Sequence, residues 1–147
     1  MLVTQMLKIK KQTVESIVTV VPTATIADAC ALLSANRIGA VVVSSDGRTP
    51  DGILSERDVV RELGRRGPAV LEVLVSELMT SKVETCTPGE DAMRVLDRMT
   101  RGRFRHLPVV DEAGRMIGLV SIGDAVSGRL AELKAEAEAL TGMIMGT

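Results

Sequence analysis

The sequence predicts an α/β (α+β) fold in which two β-α-β-β-α units pack as a pseudo-two-fold pair, followed by a C-terminal helix. Three observations carry this expectation. The stretch Gly52-Ile53-Leu54-Ser55-Glu56-Arg57-Asp58 returns 66 positions later as Gly118-Leu119-Val120-Ser121-Ile122-Gly123-Asp124. The same offset holds without a gap from Ile17 and Val83 to Asp58 and Asp124, through loops as well as apolar runs, which marks an internal structural repeat. Each copy is also too small to bury a sheet alone, so the two are expected to pack together.

Taken in order, residues 3–12 read as a short helical entry segment. Ile17-Val18-Thr19-Val20-Val21 is an extended run closed by Pro22, and Val83 to Thr87 with Pro88 is its second copy. Thr25 with Asp28 three positions on resembles a capping box, with Asp replacing the usual Glu or Gln. Ile26, Ala29, Cys30 and Leu33 then occupy one helical face, matched by Ala92, Val95, Leu96 and Met99. The continuous run Ile38 to Val43 predicts a strand buried on both faces, matched by Leu107 to Val110. Turns rich in Asp and Gly separate these runs from the closing motifs. A helix is expected from Glu56 to about Leu63, broken by Gly64-Arg65-Arg66-Gly67-Pro68.

Val75-Ser76-Glu77-Leu78-Met79 echoes Val3-Thr4-Gln5-Met6-Leu7 at an offset of 72, which places six extra residues in the first copy within Lys8 to Ser16. From Arg129 the chain is again helical. Leu130, Leu133, Ala137 and Leu140 mark one stripe, expected to pack on the body or on a partner subunit. The organisation is therefore a first repeat with its entry helix (1–68), a second repeat (69–130) and a helical tail (131–147).

Composition narrows the function classes. The chain is 46% hydrophobic, enough for a real core, yet Phe104 is its single aromatic residue, which counts against single-strand nucleic-acid binding on stacked rings. Eighteen basic against nineteen acidic residues create no global field for DNA or anionic membranes. Cys30 and Cys86 form no motif, and with His106 the only histidine no metal site is expected. Cys30 is expected to be a buried small hydrophobe, and the eight methionines to be core filler. The N-terminal residues lack the apolar region of a signal peptide, and no run approaches the roughly 20 apolar residues that span a bilayer. A cytoplasmic protein is expected.

The doubled motif carries the chemistry. Each Ser stands at a strand-to-helix transition, and each Asp falls in the first helical turn, where a carboxylate suits the helix dipole. The same arrangement of free N–H groups, hydroxyl and carboxylate suits a phosphorylated, polyhydroxylated ligand.

The doubled unit with its Gly-x-x-Ser-x-x-Asp endings resembles the tandem cystathionine-β-synthase (CBS) domain family, or Bateman module. Leu78-Met79-Thr80, Arg105-His106-Leu107-Pro108-Val109-Val110 and Ser55-Glu56-Arg57-Asp58 strengthen the likeness, the last pointing to small stand-alone bacterial members. The resemblance implies a regulatory binder of adenosine-containing ligands: AMP, ADP, ATP, NAD(H) or S-adenosylmethionine. It implies two clefts between the copies, with Asp on the ribose hydroxyls and Ser on phosphate or ribose. By position, one cleft would use Ser55, Arg57 and Asp58 with Phe104, Arg105, His106 and Leu107. The mirror cleft would use Ser121, Gly123 and Asp124 with Ile38, Gly39 and Ala40. Thr80 and Ser81 are further candidates. It also implies a homodimer formed through helices and a regulated protein that the sequence does not identify.

The two clefts are expected to differ. Arg57 has Gly123 as its counterpart, Arg105 has Gly39 and His106 has Ala40, so the Asp58 cleft gathers guanidiniums that grip phosphate while the Asp124 cleft lacks them. Structural readings stand beside the functional ones. Asp58 and Asp124 could serve as helix caps, Arg101, Arg103 and Arg105 as charges along an exposed strand edge, His106 as a structural hydrogen-bonder, and Gly39 and Gly52 as close-packing residues. No nucleophile–base pair can be assembled from one histidine and unpaired cysteines, so a non-catalytic role is expected, with no catalytic residues. An interaction module that has lost nucleotide binding is the alternative. An enzyme using either Asp as a base, or a nucleic-acid binder, ranks below both.

Overall fold

The computed structural model describes residues 1–146, so Thr147, the last residue of the tail, lies outside the described residues. The chain enters through α1 (Val3–Ile9) and a 3-10 turn (Val14–Ser16). The first copy follows as β1 (Thr19–Val20), α2 (Ile26–Asn36), β2 (Ala40–Val43), β3 (Gly52–Ser55) and α3 (Glu56–Arg66). A 3-10 segment (Pro68–Glu72) and α4 (Val75–Leu78) lead to the second copy: α5 (Ala92–Gly102), β4 (His106–Val110), β5 (Met116–Ser121) and α6 (Ile122–Ile144).

In the first copy β2 lies between β1, which runs parallel to it, and β3, which runs antiparallel. All four β2 residues are buried, which explains the unbroken Ala-Val-Val-Val sequence. In the second copy β4 pairs antiparallel with β5. The expected strand from Val83 to Thr87 contracts to a single parallel bridge between Cys86 and Val109. Its flanking backbone groups are taken by side chains instead: Arg98 donates to the Thr85 carbonyl at 2.8 Å, and Glu90 accepts from the Thr87 N–H at 2.7 Å.

Two further boundaries differ from the sequence expectation. Gly64 lies inside α3, which runs on to Arg66 and stops at Gly67, whose φ is +79°. Arg65 and Arg66 both pair with Glu62 and place positive charge in the last turn, which supports the extra turn. The tail is not a separate element. One helix runs from Ile122 to Ile144, and Leu130, Leu133 and Leu140 are exposed, so that stripe is not packed on the body. Among the described residues no helix is long and apolar enough to cross a membrane.

The two copies are tied together by an exchange of entry helices. Val3, Met6 and Leu7 of α1 belong to the core built on β4, β5, α5 and α6, whereas Val75 of α4 belongs to the core of β1 to β3, α2 and α3. A third cluster, Val42 with Val110 and Met116, joins the sheets directly. The exchange explains the first glycine of each closing motif. A Cβ at Gly118 would stand 2.6 Å from Leu7 Cδ2, and one at Gly52 would collide with Met79. Gly52 is therefore a close-packing residue. Gly118→Ala should cost about 1–3 kcal/mol in urea unfolding by overpacking. If α1 packs as described, adding Leu7→Ala should cost less than it does in the wild-type background, with a coupling of at least about 0.5 kcal/mol.

Candidate functional site

Strand-to-helix transitions build the site. Ser55 ends β3 and caps α3: its hydroxyl accepts from the Asp58 N–H at 3.2 Å, while Asp58 Oδ2 accepts from the Ser55 N–H and hydroxyl at 3.0 Å each. Ser121 and Asp124 repeat the cap at the start of α6, at 3.1 and 2.9 Å. The capping reading is therefore correct in both copies, and it leaves each carboxylate at a helix N-terminus.

Asp58 lines a cleft of about 480 Å³ between the copies, within the size range of small-ligand sites. Ser55, Arg57, Thr80, Phe104, Arg105 and His106 share its wall. Gly39, Ala40, Ser121 and Gly123, assigned by position to the mirror cleft, also reach this one. A Cβ at Gly39 would find ordinary contacts, 3.5 Å from Glu56 Oε1 and His106 Cε1, so packing does not demand glycine there and its absence of side chain leaves the cleft wider. Leu107 does not reach the cleft. It is fully buried in the second core, because it is the first inward position of β4. Ser81 is exposed and lines neither cleft.

The electrostatics exceed the sequence expectation. Arg61 and Arg103 join Arg57 and Arg105, so four guanidiniums face the carboxylates of Glu56 and Asp58. Arg61 pairs with Asp58 at 3.0 Å, while Arg57, Arg103 and Arg105 form no ion pair among the described residues. The spacing of Arg101, Arg103 and Arg105 is not that of a strand. Arg101 lies in α5, and Arg103 caps that helix in the left-handed conformation at φ 57°, as Arg37 caps α2 at φ 52°. Those caps turn the chain directly into β4 and β2, which is how Arg103 arrives at the cleft. Arg61 was visible in the sequence only as an i+3 partner of Asp58.

The mirror cleft is about 230 Å³ and is lined by Lys10, Ile38, Gly39, Ala40, His106 and Ser121, whereas Gly123 lines only the Asp58 cleft and Asp124 lines neither, standing behind Lys10, which bonds it. It carries a cation that the sequence reading did not place there. Lys10, in the stretch Lys8 to Ser16 where the two offsets part, donates to Asp124 Oδ2 at 2.7 Å and to the Leu119 carbonyl at 2.8 Å. The repeat register changes within that stretch, so it could not place this side chain.

Burial pushes Cys86 up to about 12, and the half-buried Cys30 is raised by burial too. Cys30 thus stands less deeply in the core than its helical face predicted, beside a groove between α2 and α3. His106 forms part of both clefts, and burial, then Arg105 and Lys10, hold its pKa below the ordinary 6.5, against Asp124 and Glu56, which raise it.

Comparison with known proteins gives the relatives of this arrangement. The profile of the CBS domain matches twice, at residues 13–65 and 75–130. The CBS domain-containing protein CBSX3, mitochondrial, of Arabidopsis thaliana is 36% identical over 126 residues, which is 83% of this chain and 61% of that protein. The chain thus spans less than two thirds of that relative, and 24% of the longer CBSCBSPB2 protein of the same plant. Among solved structures, a CBS-domain containing protein from Agrobacterium tumefaciens superposes with a TM-score of 0.81 at 39% identity, over 88% of this chain and 99% of that one. A CBS domain protein from Pyrobaculum aerophilum, complexed with AMP, superposes with a TM-score of 0.73 at 26% identity, over 84% of this chain and 89% of that one.

Because the folded pKa of His106 lies below its unfolded value, stability is fully present above about pH 6.5 and is lost as pH falls from there through the folded pKa. His106→Gln should remove that part of the slope in urea unfolding between pH 5 and 8. As the only histidine, His106 should also give one imidazole NMR titration with a midpoint below 6.5.

Proposed function

The chain belongs to the CBS-domain family, and we propose that it is a non-catalytic sensor module whose Asp58 cleft binds an adenine nucleotide. One observation carries the reading: a cleft of about 480 Å³ brings a capped carboxylate together with three arginines that form no ion pair among the described residues. A carboxylate accepts hydrogen bonds from both hydroxyls of a ribose, and guanidiniums without an ion-pair partner donate in bidentate fashion to phosphate oxygens. Phe104, Ile53, Ile122 and Ala40 supply apolar surface for a purine. The AMP complex of the Pyrobaculum aerophilum relative supports the ligand class.

The surplus of positive charge favours AMP, ADP, ATP or NAD(H) over S-adenosylmethionine, whose sulfonium the arginines would repel. Binding of an anion beside His106 should also raise the imidazole pKa, so affinity should increase as pH falls from 8 to 6. A cytoplasmic homodimer belongs to the same proposal. Val60 of α3 and its repeat equivalent Val126 of α6, with Leu130 and Leu133, leave exposed apolar surface on which a second copy would pack and through which a regulated protein would sense the ligand.

A thermal-shift panel of AMP, ADP, ATP, NAD⁺, NADH, S-adenosylmethionine and GMP tests the reading. A ligand at 100 times its dissociation constant should add about 2.7 kcal/mol. Asp58→Asn keeps an acceptor for the Ser55 cap but loses the charge-assisted bonds to the ribose, and affinity should fall about tenfold or more. No shift with any adenine ligand would replace the sensor by the interaction module.

A further inference from the structure

We propose that Lys10 is a built-in occupant of the Asp124 cleft, so that each chain takes one nucleotide in place of two. The inference rests on the reading of Asp58 and Asp124 as ribose acceptors, and it adds what decides the number of sites.

The two copies solve the same backbone problem differently. In the first, Ile53 pairs through both its N–H and its carbonyl with the backbone of Thr80, at 3.0 and 2.9 Å. Its repeat equivalent, Leu119, finds no strand at that place. Gln12 Oε1 accepts from the Leu119 N–H and Lys10 Nζ donates to its carbonyl, each at 2.8 Å. Two side chains of the stretch Lys8 to Ser16 thus replace one backbone bridge. The ammonium that satisfies Leu119 also lies 2.7 Å from Asp124 Oδ2.

Lys10 is held there by the end of its own helix. The Gln12 N–H donates to the Leu7 carbonyl and the Lys11 N–H to the Lys8 carbonyl, each at 3.1 Å, with Lys11 left-handed at φ 53°. That is a Schellman ending, which fixes the backbone of the whole turn. Leu7 in turn is buried in the second core. The side chains of Lys10 and Asp124 are 31% and 24% exposed, so the pair is partly shielded from water although the Lys10 residue itself stands at the surface. A ribose diol would have to displace an ammonium already bonded to two acceptors, in a cleft of about 230 Å³. Asp58 is paired with Arg61, whose side chain is 65% exposed and free to turn into water or onto a phosphate.

Calorimetric titration of the full chain with AMP, on the wild type, Lys10→Met and Lys10→Arg, tests the proposal. The wild type should bind one equivalent per chain, Lys10→Arg one, and Lys10→Met two, the second about tenfold or more tighter than any second event in the wild type. Lys10→Gln, which keeps a donor for Leu119 without the charge, serves in place of Lys10→Met if the latter loses its cooperative melt. Two equivalents on the wild type, or one on a folded Lys10→Met or Lys10→Gln, would overturn the assignment of Lys10 and leave the nucleotide reading standing. No binding to any variant would defeat both.

Discussion

Reciprocal hydrogen bonds between a strand-ending serine and the aspartate three residues later set the geometry on which both clefts depend. A helix that starts directly from a strand has N–H groups without intrahelical partners. Ser55 and Asp58, and again Ser121 and Asp124, satisfy them from both sides. The carboxylates are thereby immobilised at helix N-termini before any ligand arrives. Cap and candidate ligand group are one and the same, so truncation of either Asp would destabilise the helix start as well as the site. Replacements that keep an acceptor are the informative ones.

The exchange of entry helices makes the pair of copies one object. Since α1 completes the second core and α4 the first, the connections between them run along the cleft walls. Their lengths then decide what each cleft contains. The direct route after α4 brings the Thr80 backbone to Ile53 and leaves the Asp58 cleft open. The route after α1 is six residues longer and delivers Lys10 and Gln12 to Leu119. A repeat that keeps its register in sequence is thus unequal in its chemistry, through both the arginines on one side and the lysine on the other.

Most of the fold could be read from the 66-residue offset, because buried strands, helical faces and caps each leave a local period or a paired residue type. Thr25 with Asp28 was readable as a cap for this reason, and the structure closes it at 3.1 and 3.2 Å. What escaped was decided by single side chains acting across the sequence. Arg98 and Glu90 dissolve the expected strand around Cys86, and Glu62 carries α3 past Gly64. In the site, Arg57, Arg105 and His106 could be named by position. Leu107 could not be excluded, because its inward direction follows from the strand register. Arg103 depends on a left-handed cap, and Lys10 on the fold of a stretch within which the repeat register changes.

The Asp58 cleft, with its surplus of guanidinium groups, is the proposed seat of the nucleotide. A crystal structure of the protein grown with AMP tests it most directly. Ligand density is expected in the cleft beside Asp58, with ribose hydroxyls on its carboxylate, phosphate among Arg57, Arg103 and Arg105, and Lys10 still on Asp124. Density beside Asp124 alone, with the Asp58 cleft empty, would contradict it.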